Sequence, residues 1–176
     1  MNSGLERLWS PWRSKYIESF SNSEAKTCIF CDALSSDNDE SRFILWRGSV
    51  CFAILNVYPY NAGHVMVVPN RHVPSIEDLT DAESAEIMSA TKLMLRGLTR
   101  AIHPHGFNFG ANIGRVSGAG IDDHVHFHIV PRWNGDTNFM PVLSETKVIS
   151  EELCATYHKL RLAIEELKKE NAAASP

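Results

Sequence analysis

The chain has no run of about 18 apolar residues, so no segment reads as a membrane-spanning helix. Its first residues, Met1 to Glu6, lack the basic start and apolar stretch of a secretory signal, and a cytoplasmic protein is expected. Positive charge is not in excess either: 17 Lys and Arg face 21 Asp and Glu, for a formal net charge of -4. That removes any general electrostatic basis for holding polymeric nucleic acid or an anionic membrane. A small anionic ligand would need locally arranged donors instead. Cysteine is scarce, with residues at 28, 31, 51 and 154, which is not the density of a disulfide-stapled domain. Cys51 and Cys154 lie in apolar-periodic segments and are expected as small core residues. No GxxxxGK[ST] phosphate loop and no internal repeat is present.

What remains is a chain of 176 residues, 44% hydrophobic, the size of one domain with a single sizeable core. An aromatic segment, Leu8-Trp9-Ser10-Pro11-Trp12, reads as a packing anchor, and the polar stretch Ser35 to Ser41 as a loop. Val50 to Val57 and His64 to Val68 read as a hairpin-like pair of strands around the turn at residues 58 to 63. Thr80 with Glu83 forms a capping box, and Ile87, Met88, Leu93, Met94, Leu98 and Ile102 recur at helical spacing, which predicts a helix from about 81 to 102. Phe107 to Ile113 is extended, Gly114 to Gly120 is a glycine-containing loop, and Val125 to Val130 is a strand expected to end at Pro131. Ser150 is placed to cap a last helix with the apolar stripe Leu153, Tyr157, Leu160, Ile164 and Leu167, a core or dimer surface. Strand runs around one long helix argue for an α+β domain on an antiparallel sheet.

The informative segment is Asp123-His124-Val125-His126-Phe127-His128-Ile129-Val130. Histidine alternates with large apolar residues, and on extended chain alternate residues share a face. His124, His126 and His128 would form a row of imidazoles about 6 to 7 Å apart, with Val125, Phe127 and Ile129 in the core behind. Such a row can be a solvated strand face, a metal site or a catalytic array; a merely solvated face would use Thr, Lys or Glu, which favours function. Imidazole suits nucleophile, acid, base and ligand roles, because its pKa is near neutrality and its two nitrogens can take separate tasks. Cys28-Ile29-Phe30-Cys31 is a CxxC whose readings are a zinc half-site, a redox pair or chance; no second CxxC exists, and no thioredoxin-like βαβ context surrounds it.

These residues resemble the histidine triad (HIT) superfamily, whose signature of three histidines alternating with apolar residues His124 to Val130 match without a gap. The similarity runs from about Cys28 to Arg132 and includes Asn56 and Gly63-His64-Val65-Met66-Val67-Val68-Pro69. The resemblance implies an α+β HIT-like fold of about five antiparallel strands with one long helix and a C-terminal helix. The whole chain would be one such domain, with an arm at 1–27, a core at 28–133 and an extension with its helix at 134–176. It also implies that His126 attacks the α-phosphate of an AMP-containing nucleotide to form a covalent nucleotidyl-histidine, with no catalytic metal. His128 and His64 would handle phosphate charge and protons, and His124 completes the catalytic row. Asn56 would hold ribose hydroxyls, and Asn112, Gly114, Gly118 and Gly120 the phosphates. An apolar base pocket would include Phe30 and Leu55. Much of the family places a glutamine shortly before the triad; this chain contains none, and Ile121 and Asp122 stand nearby.

The family also implies a closed structural zinc site from Cys28, Cys31, His72 and His124, and a homodimer. Arg132 to Met140 and Leu8 to Arg13 further resemble a bacterial branch that contains diadenosine tetraphosphate phosphorylases. Cleavage of dinucleoside polyphosphates, with inorganic phosphate as acceptor, is therefore expected; the alternatives are a hydrolase or phosphoramidase of other AMP conjugates, or a non-catalytic nucleotide-binding module. The longer, duplicated galactose-phosphate uridylyltransferases carry glutamine at the third triad position, which His128 and the short chain disfavour.

Overall fold

The computed structural model describes residues 28–136 and 151–173. The tryptophan segment, the Ser150 cap and residues 137–140 of the branch resemblance lie outside the described residues. In chain order the elements are α1 (Ile29–Ser35), β1 (Ile44–Arg47), β2 (Cys51–Leu55), β3 (Val65–Pro69), α2 (Asp81–Ile102), β4 (Gly106–Ala111), β5 (Phe127–Arg132) and α3 (Leu153–Ala173). The strands form one antiparallel sheet in the order β1-β2-β3-β5-β4.

Alternation along the central strands divides the protein into two layers. Cys51, Ala53 and Leu55 of β2, Val65 and Val67 of β3, and Phe127 and Ile129 of β5 pack with α2 and α3. Phe52, Ile54, Met66 and Val68 point to the opposite face and pack with Phe30 and Ala33 of α1. Burial on both faces explains why β2 and β3 read as continuous apolar runs.

Helix α2 begins at the expected capping box: Thr80 Oγ1 accepts from the Glu83 N–H, and the Thr80 N–H donates to the Glu83 carboxylate at 2.8 Å. Of its expected apolar positions Met88 is exposed, while Ile87, Met94 and Leu98 are buried. Helix α3 lies across α2 with Tyr157, Leu160, Ile164 and Leu167 buried, so the stripe is core within this chain. The helices approach closely at Gly97, where a Cβ would stand 3.0 Å from Ile164 Cγ1. Gly63, at φ +72, turns the chain into β3 against Leu98 and Ile102, and a Cβ there would stand 2.6 Å from Ile102 Cδ1.

Three readings need correction. Cys154 is exposed, because it sits about 100° around α3 from the buried stripe. Strand β5 starts at Phe127 rather than Val125; the Val125 N–H instead donates to Val73 O at 2.7 Å, so His124 and His126 lie on extended chain ahead of the ladder. The strand also runs through Pro131, which sits beyond Ile129, the last residue paired with β3. Helix α1 and strand β1, seven and four residues long, carry too little periodicity to be read from sequence.

The Glu83 carboxylate also accepts from Arg71 Nε and Nη2, each at 2.7 Å, and its pKa falls to about 2, chiefly through those bonds. A depressed carboxylate pKa stabilises the fold above the ordinary value near 4.3, and the contribution is lost as pH falls toward about 2. Urea unfolding at pH 6 and pH 3 should show a marked stability loss in the parent and a smaller one in Glu83→Gln; equal losses would contradict this role.

Candidate active site and metal centre

The histidine row lies on the face of the sheet that carries α1. Its alternation holds even where the ladder does not: Val125, Phe127 and Ile129 enter the helix-side core, while His124, His126 and His128 face the other way. The rings of His126 and His128 are 4.8 Å apart, closer than ideal strand spacing because the first two histidines precede the ladder.

Hydrogen bonds fix what each ring nitrogen can do. His126 Nδ1 is 2.9 Å from the carbonyl oxygen of His124, which can only accept. Nδ1 therefore carries the proton and Nε2 keeps its lone pair. His126 is 5% exposed, and burial pushes its pKa below the usual histidine value, partly opposed by this bond. His64, wholly buried, has its Nδ1 3.1 Å from the Tyr60 N–H, so that nitrogen accepts and Nε2 bears the proton. His64 Nε2 in turn donates to His128 Nδ1 at 2.9 Å, which leaves the proton of a neutral His128 on Nε2. The pair of buried His64 and half-buried His128 is thus directional, with N–H vectors running from His64 to His128. A nitrogen lone pair and an N–H donor stand side by side, as nucleophilic displacement with a hydrogen bond to the leaving oxygen requires.

His124 is turned away from this chemistry. Its Nε2–H donates to Pro69 O at 2.9 Å, and its Nδ1 faces Cys28 Sγ at 3.2 Å and Cys31 Sγ at 3.7 Å. His72 Nδ1 lies 3.4 Å from Cys31 Sγ, and the Asp123 carboxylate approaches His72 Nε2 at 3.5 Å. The four donor atoms of Cys28, Cys31, His72 and His124 all lie within 4.8 Å of one another, so this cluster could hold a metal ion. A tetrahedral S₂N₂ metal has S···N edges of about 3.6 Å, which the observed spacings fit. Both histidines also have the outer partner, carbonyl or carboxylate, that orients a metal-ligating imidazole. Burial raises the Cys28 thiol to about 11, and metal coordination would displace that proton.

Comparison with known proteins agrees with this geometry. Residues 38–135 match the family described as the HIT domain. The chain belongs to the HIT family. It is 42% identical over 154 residues to an AP-4-A phosphorylase of Mycobacterium tuberculosis, covering 85% of this chain and 79% of that protein. It is 32% identical over 108 residues to adenosine 5'-monophosphoramidase hnt1 of Schizosaccharomyces pombe, covering 61% of this chain and 76% of that one. A histidine triad nucleotide-binding protein from Sulfolobus tokodaii superposes with a TM-score of 0.67 at 27% identity, over 81% of this chain and 95% of its own.

Within this HIT fold the other expected residues fall in distinct places. Asn56 follows β2; its Oδ1 accepts from the Tyr58 N–H at 2.9 Å and its Nδ2 lies 3.3 Å from His64 Nδ1. Asn112, Gly114, Gly118 and Gly120 lie on the segment leaving β4 at Ala111, opposite Phe127; Gly114 and Gly118 have positive φ, and Ser117 Oγ closes the loop on Gly114 O. Phe30 packs its ring against His124 and His126. Leu55 does not accompany it: strand alternation sends Leu55 to the helix-side core. The sequence reading missed Tyr60, whose amide sets the His64 tautomer and whose ring stacks 5.8 Å from that of His128. Only its position four residues before the fourth histidine could have suggested it.

Titration with Co²⁺ should give the intense visible bands of tetrahedral cobalt and thiolate charge transfer at one equivalent per chain, and Cys28→Ser should weaken both. Pale octahedral spectra in the parent would argue against a closed S₂N₂ centre.

Proposed function

We propose that this chain cleaves dinucleoside polyphosphates of the diadenosine tetraphosphate type, passing an AMP group through His126 to inorganic phosphate. The observation that carries the reading is the fixed tautomer of His126, buried with Nε2 unprotonated beside the N–H of His128. In the first step the Nε2 lone pair attacks the α-phosphorus, an N–P bond forms, and the bond to the leaving polyphosphate oxygen breaks. ATP departs as its anion, its leaving oxygen accepting a hydrogen bond from His128 Nε2–H while His64 holds the opposite nitrogen, and the positive charge left by the new N–P bond stays on the His126 ring. In the second step a phosphate oxygen attacks the same phosphorus and the N–P bond breaks, which yields ADP. Splitting one displacement into two lowers each barrier.

Phosphate as acceptor is supported by the 42% identity to the AP-4-A phosphorylase. The phosphoramidase relative supports a second reading, in which water takes the AMP group. In this reading Asn56 would hold ribose hydroxyls, and the Asn112, Gly114, Gly118 and Gly120 segment would offer backbone N–H groups to phosphate oxygens. The Cys28, Cys31, His72 and His124 set suits zinc in a closed, structural role, with His124 held there rather than in the reaction. A bound zinc would supply rigidity rather than Lewis-acid chemistry, since all four positions belong to the protein. Cysteines that serve as metal ligands and core residues rather than disulfide partners favour the reducing cytoplasm. No helix among the described residues is long and apolar enough to cross a membrane.

We place a second copy of the chain on the edge strand β4. Phe109 and Ile113, 46% and 43% exposed, stand at this edge, and an unpaired strand edge with apolar side chains is a ready pairing surface. Phe109→Glu should shift light scattering from dimer to monomer; an unchanged mass would remove β4 as the interface.

His126→Ala should lower the cleavage rate of diadenosine tetraphosphate by at least about 10³-fold and His128→Ala by about 10²–10⁴-fold. With inorganic phosphate the parent should release ADP and ATP, and turnover should stall without it. AMP and ATP at full rate in phosphate-free buffer would make it a hydrolase; undiminished turnover by His126→Ala would remove the mechanism.

A further inference from the structure

The turn between β2 and β3 is joined to β5 by the amide of Asn61. The β3–β5 ladder ends at the pair Val65 and Ile129, so His64 lies one residue beyond the last rung. Toward β2 its backbone is still held, its carbonyl oxygen accepting from the Asn56 N–H at 2.8 Å. Toward β5, Pro131 has no N–H with which to make a further rung, but its carbonyl can accept. Asn61, 6% exposed, uses that carbonyl: its Nδ2 donates to Pro131 O at 3.0 Å and to the Asp136 carboxylate at 2.8 Å. The Asn61 carbonyl oxygen in turn accepts from the His64 N–H at 3.2 Å, so the residue that grips the end of β5 also holds the backbone of His64.

The far side of the grip is itself fixed. The Asp136 carboxylate accepts from Arg132 Nε at 2.6 Å, from Arg132 Nη2 at 3.0 Å and from the Trp133 N–H at 3.1 Å, and the Arg132 guanidinium keeps its carboxyl below the usual carboxylate range. Arg132 Nη1 also donates to Asn108 Oδ1 of β4 at 2.8 Å. Both hydrogens of the Asn61 amide are thus engaged at the end of the strand that carries His128. An asparagine that only shapes a turn bonds its own neighbouring backbone and has no need of this reach. The turn carries His64 and β5 carries His128, and their ring nitrogens meet at 2.9 Å, a separation that follows from how the turn sits on the strand.

We propose that Asn61 is a positioning residue which, anchored on Pro131 O and Asp136, holds His64 Nε2 against His128 Nδ1. This rests on the roles proposed above for His64 and His128. Without the anchor the turn moves away from β5, the bond between the two rings is lost, and His128 no longer has the partner that aims its Nε2–H at the leaving oxygen. Asn61 acts through the two histidines, so its effect falls on turnover rather than on substrate binding.

The direct test is nitrogen NMR of the whole chain labelled at its histidine nitrogens, in which a scalar coupling between His64 Nε2 and His128 Nδ1 reports their hydrogen bond without turnover. The parent should show the coupling. Asn61→Leu, close in volume, and Asn61→Ser, too short to reach Pro131 O, should both lose it; if Asn61→Leu fails to fold, Asn61→Ser carries the same reading. Ile164→Ala, which opens the packing of α2 on α3 and lowers thermal stability, should keep the coupling. With diadenosine tetraphosphate the Asn61 variants should lose about 10- to 100-fold in kcat with KM within about twofold of the parent, while Ile164→Ala keeps the parental kcat. A coupling that survives in the Asn61 variants or disappears equally in Ile164→Ala, or a parental kcat in the Asn61 variants, overturns the proposal. Failure of the cleavage mechanism would appear separately, as undiminished turnover by His126→Ala.

Discussion

The hydrogen bond from His126 Nδ1–H to the carbonyl oxygen of His124 decides what the rest of the site is able to do. A carbonyl cannot donate, so the bond forces the proton onto one nitrogen and the lone pair onto the other. Burial reinforces this by disfavouring the imidazolium. The geometry that allows the bond comes from extended chain in which His124 is tied to Pro69 O and Val125 to Val73 O, so neither residue depends on ladder pairing. A neutral imidazole with its lone pair on Nε2 thus follows from backbone placement more than from any charged neighbour.

The two layers of the sheet separate support from chemistry. On one face α2 and α3 bury the large aliphatic cluster, and the close approach at Gly97 lets the helices sit down on the strands. On the other face, among the described residues, the cover is a seven-residue helix beside the histidine row.

Much of this was legible in the sequence because strong periodicity leaves little freedom. The capping box and apolar spacing of α2 gave its limits, Asp81–Ile102, and the histidine alternation placed its three rings on one face. Of the four cluster residues, spread over 97 positions, the CxxC of Cys28 and Cys31 was legible as a possible half-site by itself, whereas His72 and His124 were legible as its partners only through resemblance, since no local pattern joins Cys28 to His124. Tyr60 was illegible for a different reason: it acts through a backbone N–H that every non-proline residue carries. Leu55 was misplaced because a buried strand is apolar on both faces, so composition alone does not say which way a side chain points. Cys154 shows the converse, an apolar-looking neighbour of a stripe that helix rotation turns to solvent.

The central claim is that Nε2 of His126 becomes bonded to phosphorus during turnover. Brief mixing of enzyme with radiolabelled diadenosine tetraphosphate, quenching in alkali and peptide mapping reads this directly. The account predicts an acid-labile nucleotide on the peptide containing His126, absent from His126→Ala and discharged by added phosphate. Turnover with no label on that peptide, or label on another histidine, would contradict it.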